Sequence, residues 1–345
     1  YPVHAQVSRG DVGRVIQPSP PEHAESLDRI LGDFESVIVP GMSHWNHPAF
    51  MAYFALSGAV PGIIAELLTA GLNVNAMLWR SSPAATELEL IVTDWLRQMM
   101  GLDEGWTGFL NDTASTSTFV ALAAAREAHG ELAIRERGMA GRSDLPQLRV
   151  YCSEQAHSSV DKAVIALGLG HENVVHIETD ERFRMRADRL AEAMRTDVAR
   201  GALPLAVVAT AGTTSTTSVD PIAEIAGVAK AHHAWLHVDA AYAGAAAVLP
   251  EMRTMFAGWE RADSIVMNPH KWLFTPVGTS ALFVRRPDIL KRAFSLVPDY
   301  LTAQEDAPNL MDYGLQLGRP FRARKLWMVI RAFGVEGIAA RLPHH

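Results

Sequence analysis

Cysteine is nearly missing from this chain: among 345 residues there is one, Cys152. A disulfide within the chain is therefore excluded, and a reducing compartment is expected. Cys152 closes the apolar run Leu148-Arg149-Val150-Tyr151-Cys152, so core packing is its expected role. Positive charge is also in short supply, with 31 Lys and Arg against 38 Asp and Glu and a formal net charge of -7. No dense Lys/Arg run stands out, and nucleic acid is not an expected partner. No apolar stretch approaches the roughly 20 residues that span a bilayer. The longest candidates, Ala202 to Ala211 and Ala240 to Leu249, are short or interrupted by glycine. No signal-peptide pattern opens the sequence, so a cytoplasmic location is expected. A Gly-x-x-x-x-Gly-Lys phosphate loop, a Gly-x-Ser-x-Gly elbow and internal repeats are all absent, which sets aside P-loop hydrolysis, α/β-hydrolase chemistry and solenoid folds.

What is present is a chain with 48% hydrophobic and 20% charged residues, enough to bury a large core in one domain or a domain and a half. Two strand-length runs stand out by how they end. Asp263-Ser264-Ile265-Val266-Met267 leads into Asn268-Pro269-His270-Lys271-Trp272, and Trp235 to Val238 leads into Asp239-Ala240-Ala241-Tyr242-Ala243-Gly244. In open α/β sheets, ligands bind at strand ends of this kind. A lysine beside a buried strand, taken alone, would snorkel to the surface or neutralise a carboxylate; an aspartate there, taken alone, would cap the next helix. Together on successive strands they suggest a different use. A desolvated lysine loses its proton more easily and forms Schiff bases, and an aspartate pairs with a protonated pyridine nitrogen. An acid at one end of a flat ring and a Schiff-base lysine at the other is the pyridoxal phosphate arrangement.

With these motifs the sequence resembles the group II pyridoxal-phosphate-dependent amino acid decarboxylases, and among them the aromatic L-amino acid decarboxylases. The resemblance runs from about Pro40 to the end. It rests on Pro40-Gly41-Met42-Ser43-His44-Trp45, Ser82-Pro83-Ala84-Ala85-Thr86-Glu87-Leu88-Glu89, Gln155-Ala156-His157-Ser158-Ser159, and above all the Asp239 and Lys271 motifs. It implies an α/β fold of the aspartate-aminotransferase-like type (type I), with a mostly parallel sheet flanked by helices. The alternation of buried strands and helices points the same way. Three segments are expected: an N-terminal arm and helix over 1–39, a large cofactor-binding domain over 40–318, and a linker helix over 319–345 leading towards a small domain largely outside this sequence. The cofactor is expected to be pyridoxal 5'-phosphate, and the assembly a homodimer with shared active sites.

The resemblance also assigns residues. Lys271 holds the cofactor, Asp239 its ring nitrogen, and His157 stacks on the ring; Thr214, Ala241 and His270 complete its surroundings. Ala114 and Ser115, in the hydroxyl-rich run Asn111 to Thr118 before an alanine-rich helix, bind the phosphate, as a helix N-terminus can. Trp45 and Tyr53, in an aromatic loop, and Met77, in the segment Asn75 to Trp79 that reaches the partner subunit in relatives, contact substrate. Ala55-Leu56 replaces a Pro-Thr pair of many relatives, with Ser57 as a substitute hydroxyl. Tyr313 is the family's proton donor to the carbon that carbon dioxide leaves; relatives with phenylalanine there make aldehydes. The stretch Tyr313 to Gly318 is shorter than in animal relatives. The expected catalytic set is Lys271, His157 and Tyr313, and the expected reaction is decarboxylation of an aromatic L-amino acid of the tyrosine, DOPA or tryptophan class. Aldehyde formation, transamination, another amino acid decarboxylation, or cofactor binding without turnover are the alternatives.

No metal is expected. His171-Glu172-Asn173-Val174-Val175-His176 is superficially like the zinc-protease helix motif. Its histidines are five apart, about 140° round a helix, so they do not share a face. His232-His233 with His237 lacks a further ligand. Along the rest of the chain, Tyr1 to Ser26 reads as an extended arm, and Leu27 to Val39, Pro61 to Gly71, Ala84 to Met100 and Phe321 to Phe333 as helices. Ser280 to Val284 is expected to run back through the sheet.

Overall fold

The structure is a computed structural model and describes residues 1–344 except 17, 18, 55, 57 and 297–307. Ala55 and Ser57, the positions weighed above for a hydroxyl contact, lie outside the described residues. The chain divides into two compact units, Tyr1–Ser57 and Gly58–His345.

In the smaller unit, Ser26 accepts a hydrogen bond from the Arg29 N–H at 3.3 Å and so caps the helix Leu27–Asp33, which runs on as a wider turn over Phe34–Ile38. This matches the helix expected over 27–39. The arm before it is not wholly extended: Asp11–Val15 is a short helix, started where the Asp11 carboxylate accepts from the Ser8 N–H at 2.6 Å. Trp45 stacks on Phe50 at 4.8 Å and on Tyr53 at 5.5 Å.

The larger unit is built on seven strands: β1 (Thr107–Asn111), β2 (Leu148–Ser153), β3 (Val174–Ile177), β4 (Leu203–Thr210), β5 (Trp235–Asp239), β6 (Ser264–Met267) and β7 (Ser280–Val284). Their order in the sheet is β1-β7-β6-β5-β4-β2-β3. Only β7 runs against its neighbours, as expected of Ser280 to Val284; every other pairing is parallel. The strands are continuous apolar runs because helices cover both faces. Along β4 the side chains alternate: Val207 and Ala209 pack into one core layer, Ala206 and Val208 into the other. The helix Ala114–Ala128 is so rich in alanine because it lies flat on the sheet, with Ala121 to Ala125 buried.

Pro83 opens the helix Pro83–Met99, where its missing N–H costs least. The last long helix, Ala323–Arg341, starts two residues later than expected. Its backbone breaks at Gly334 (φ 63°), one residue past the expected end, and then resumes. Arg319, just before it, is buried against Glu89 at 2.5 Å. Glu89 also accepts from the Leu110 N–H at 2.9 Å, which ties the helix Pro83–Met99 to β1. No helix among the described residues is long and apolar enough to cross a membrane.

Candidate active site

Two adjacent strands deliver the key pair. In the parallel register Thr210 on β4 lies beside Asp239 at the end of β5, and Asp239 beside Val266 on β6. The ladder continues past the strands: the Ala240 N–H donates to Val266 O at 3.0 Å and the Asn268 N–H to Ala241 O at 3.1 Å. Asp239 and the turn Pro269–Trp272, which carries Lys271, are thus held at the same carboxyl end of the sheet. A cavity of about 180 Å³ lies there. A larger cleft, about 480 Å³, lies at the opposite, amino ends of β5 and β6, between Trp235, Asp263 and Arg286. The smaller cavity is the candidate site because the chemically distinctive side chains converge on it.

All eight residues expected to touch the cofactor line this cavity: Ala114, Ser115, His157, Thr214, Asp239, Ala241, His270 and Lys271. Asp239 is 6% exposed, and its Oδ1 accepts from the Ala241 N–H at 3.1 Å. Lys271 is half-buried; desolvation pulls its pKa below the ordinary lysine value, and the charge of Asp239 opposes that. His270 is buried, and burial pushes its pKa down to about 4. Its Nδ1 accepts from the Thr279 N–H at 3.1 Å, so the neutral ring carries its proton on Nε2. His157 stands at the rim and accepts from the Ser159 N–H at 3.1 Å. Desolvation lowers its pKa, Asp239 opposes, and Lys271 and Lys162 add to the lowering.

One end of the cavity is a helix start. Thr113 caps the helix Ala114–Ala128 by accepting from the Thr116 N–H. The N–H groups of Ala114 and Ser115 have no acceptor within the helix, and the positive end of the helix dipole lies with them. Between this helix start and Asp239, Gly212 comes close to the backbone of the next turn. It has φ +87°, and a Cβ on it would lie 2.8 Å from Ala243 Cβ. Asn268 Oδ1 and Thr210 Oγ1 are buried with no hydrogen-bond partner among the described residues. Such leftover polar atoms require an explanation, and a cofactor with polar ring substituents supplies one. The lining therefore fits pyridoxal 5'-phosphate in its charged groups and in its unused polar atoms.

Five lining residues were not assigned from the sequence: Thr113, Thr210, Gly212, Tyr242 and Asn268. Tyr242 and Asn268 sit inside the motifs that were read, and Tyr242 stacks on Trp272 at 5.0 Å. Four residues expected at the site are not among its lining, two of them in the larger unit. Met77 is half-buried, and its carbonyl accepts from the Met311 N–H at 3.1 Å. Tyr313 ends the turn Leu310–Tyr313 and stacks on Phe109 at 4.6 Å, where burial raises the pKa of its phenol. Trp45 and Tyr53 belong to the smaller unit.

The family model described as the pyridoxal-dependent decarboxylase conserved domain matches residues 10–345. The chain belongs to this family. Its cofactor is pyridoxal 5'-phosphate. Among curated members of the family, tyrosine decarboxylase 4 of Petroselinum crispum is 40% identical over 97% of this chain and 67% of its own length. Phenylacetaldehyde synthase of Arabidopsis thaliana is 38% identical over all of this chain and 71% of its own. The crystal structure of Oryza sativa TDC with PLP and tryptamine superposes with a TM-score of 0.94 at 37% identity, covering 99% of this chain and 72% of that one. The chain thus spans about two thirds of the length of the curated relatives it matches, and its fold is that of the pyridoxal-phosphate decarboxylases.

Proposed function

We propose that this chain is the cofactor-binding body of a carboxy-lyase that converts an aromatic L-amino acid of the tyrosine, DOPA or tryptophan class to its amine and carbon dioxide. The observation that carries the proposal is the convergence of Lys271, Asp239 and a helix start on one cavity at the carboxyl end of the sheet. Similarity to a tyrosine decarboxylase and to a structure holding tryptamine supports the substrate class. When bound, the cofactor supplies an electron sink for the pair left behind by carbon dioxide.

The residues of the chain do the rest. Lys271 is the attaching amine, and desolvation raises the fraction of it that is uncharged and nucleophilic. Asp239, with Oδ1 committed to the Ala241 N–H, has its second oxygen left to hold a proton on the ring nitrogen. Ala114 and Ser115 anchor the phosphate. His157 shields one ring face at the rim, and Ala241 with Tyr242 bounds the other side. Tyr313 is the proton donor in this reading. Because it is stacked on Phe109 and is not among the cavity lining, that role requires the turn Leu310–Tyr313 to shift or a second chain to supply the residue.

The active form in this proposal is a homodimer. The helix Val60–Leu72 supports it by leaving Val60, Ile63 and Leu67 exposed at 67%, 52% and 72%, an apolar stripe suited to a second copy. The proposed compartment is the cytoplasm, since Cys152 is free and buried.

A second reading is aldehyde formation, favoured by the similarity to phenylacetaldehyde synthase; Tyr313 favours simple decarboxylation. The deciding experiment feeds carboxyl-labelled tyrosine, DOPA, tryptophan, phenylalanine and glutamate and measures label released, amine, aldehyde and hydrogen peroxide. Label and amine in equal amounts without peroxide, from an aromatic substrate, is the expected result. Release from glutamate alone would overturn the substrate class, peroxide with aldehyde the reaction, and no release at all both.

A further inference from the structure

Away from the cofactor cavity, three side chains from three elements meet beside the outer strand of the sheet. Asp161 stands in the first turn of the helix Ser159–Ala166, His171 opens the short turn His171–Asn173, and His176 lies on β3. Asp161 Oδ1 is 3.0 Å from His171 Nε2 and 3.1 Å from His176 Nε2. One ligating atom from each of the three lies within 4.8 Å of the other two. Two ligands about 2.0–2.2 Å from a tetrahedral zinc ion sit roughly 3.2–3.6 Å apart, a spacing that both Asp161–histidine pairs nearly have already.

The donor set is chemically apt. Two imidazole nitrogens and a carboxylate suit zinc better than calcium or magnesium, which prefer oxygen throughout. Asp161 has no Lys or Arg ion-pair partner among the described residues; the two histidines are its only ones. The ring of His176 is oriented from behind, its Nδ1 lying 3.7 Å from the buried Cys152 Sγ, which turns Nε2 outward. A metal-bound imidazole usually has its other nitrogen engaged in this way. Access is open, with the side chains of His171 and His176 64% and 42% exposed. The sequence excludes a helical zinc motif here, and His171 and His176 do not share a helix; the third group, Asp161, is supplied only by the fold.

We propose that Asp161, His171 and His176 form a three-ligand site for a divalent transition-metal ion of the zinc class, with water completing its coordination. An ion held there ties the start of the helix Ser159–Ala166 to β3. That helix begins two residues after His157, so the ion steadies the segment that places His157 at the rim of the cofactor cavity. The site itself does not depend on the reaction proposed above.

The test uses cofactor-loaded protein, stripped of metal with a chelator and titrated with zinc chloride in a calorimeter, with hydrogen exchange followed over residues 157–177. One saturable zinc per chain is expected, together with slower exchange in Ser159–Ala166 on its addition. Asp161→Asn, and the double variant His171→Ala with His176→Ala, should each weaken binding about tenfold or more, the scale that even outer partners of a ligand command. His171→Ala alone removes a largely exposed ring, cannot unfold the chain by loss of core, and should also weaken binding. Undiminished binding in the double variant, or no saturable binding by the parent, would overturn the proposal.

Discussion

Asp239→Asn separates the charge at the end of β5 from its shape. Asp239 is 6% exposed and accepts from the Ala241 N–H at 3.1 Å. An asparagine oxygen can accept the same bond, so the urea midpoint of the cofactor-free protein should hold or rise slightly, because a buried charge costs solvation. The negative field is what disappears. Asp239 props up the pKa values of Lys271, His157 and His237, so all three fall further without it. The Lys271 amine is then uncharged over a wider range, and cofactor attachment should begin at lower pH in the variant than in the parent. In the proposed arrangement the ion pair between Asp239 and the cofactor nitrogen becomes a one-sided buried charge, a change that costs about 3–5 kcal/mol. At about 1.4 kcal/mol per decade that is roughly two to four decades in cofactor affinity or turnover. Absorbance titration of bound cofactor and release of labelled carbon dioxide read these two quantities. Turnover within about threefold of the parent, less than 1 kcal/mol, would remove Asp239 from the ring nitrogen. A urea midpoint that fell as far as activity would make its role structural.

Lys271→Ala should leave the fold intact and abolish fixation of cofactor to the chain by borohydride; fixation at another lysine would refute the assignment. Glu89→Gln strands the buried Arg319, 4% exposed and bonded to Glu89 at 2.5 Å, and should cost about 3–5 kcal/mol in urea unfolding. A loss under about 1 kcal/mol would mean that the pair is relieved by solvent. Acid should destabilise the chain through His237 and His270, both pushed down to about 4 by burial. These folded values lie below the unfolded value of about 6.5, so the stability they contribute is full above pH 6.5 and is lost as the pH falls towards 4, by up to roughly 3 kcal/mol each. Asp220, raised to about 6 by burial, works in the opposite sense between pH 6 and 4 and offsets about one ring. Urea midpoints that stayed flat from pH 6.5 to 4.5 would contradict this.

The residues expected to touch the cofactor converge on one cavity, and they stood out in the sequence because each follows a strand or opens a helix, and both features leave local marks. A parallel strand is a continuous apolar run, and its end is where the polar residue appears, as at Asp239 and Asn268. The hydroxyls of Thr113 to Ser115 mark a helix start in the same way. Thr214 came from the resemblance; Thr210 and Gly212 on the same strand end escaped because their part in the site depends on β4 lying next to β5. That neighbourhood belongs to the sheet order, and chain order does not encode it. The cluster of Asp161, His171 and His176 escaped for a related reason: a periodicity test sees one element at a time, and these residues sit on three.

The substrate half is a different case, and the difference bears on how the site works. Every residue expected to touch the cofactor comes from the larger unit and lines a single cavity. Of the four residues assigned to substrate or proton transfer, Trp45 and Tyr53 belong to the smaller unit, while Met77 and Tyr313 lie in the larger one but are not among the cavity lining. Met77 is held through its carbonyl by the Met311 N–H, which joins the segment Asn75 to Trp79 to the turn Leu310–Tyr313, while Tyr313 is stacked on Phe109 of β1. That hydrogen bond couples the position of the turn to the segment that carries Met77. If the turn Leu310–Tyr313 shifts to bring the phenol over the cofactor, the Met311 N–H must let go of the Met77 carbonyl, and the segment Asn75 to Trp79 is released as the proton donor arrives. A substrate ring that displaces the segment Asn75 to Trp79 should therefore promote protonation as well as binding. The expected signature is a dependence of kcat, and not of KM alone, on the side chain at position 77. Met77→Ala should lower kcat for the preferred aromatic substrate at saturating concentration and raise the share of product diverted to aldehyde. An effect confined to KM would separate the two segments and leave Tyr313 to be positioned by something else.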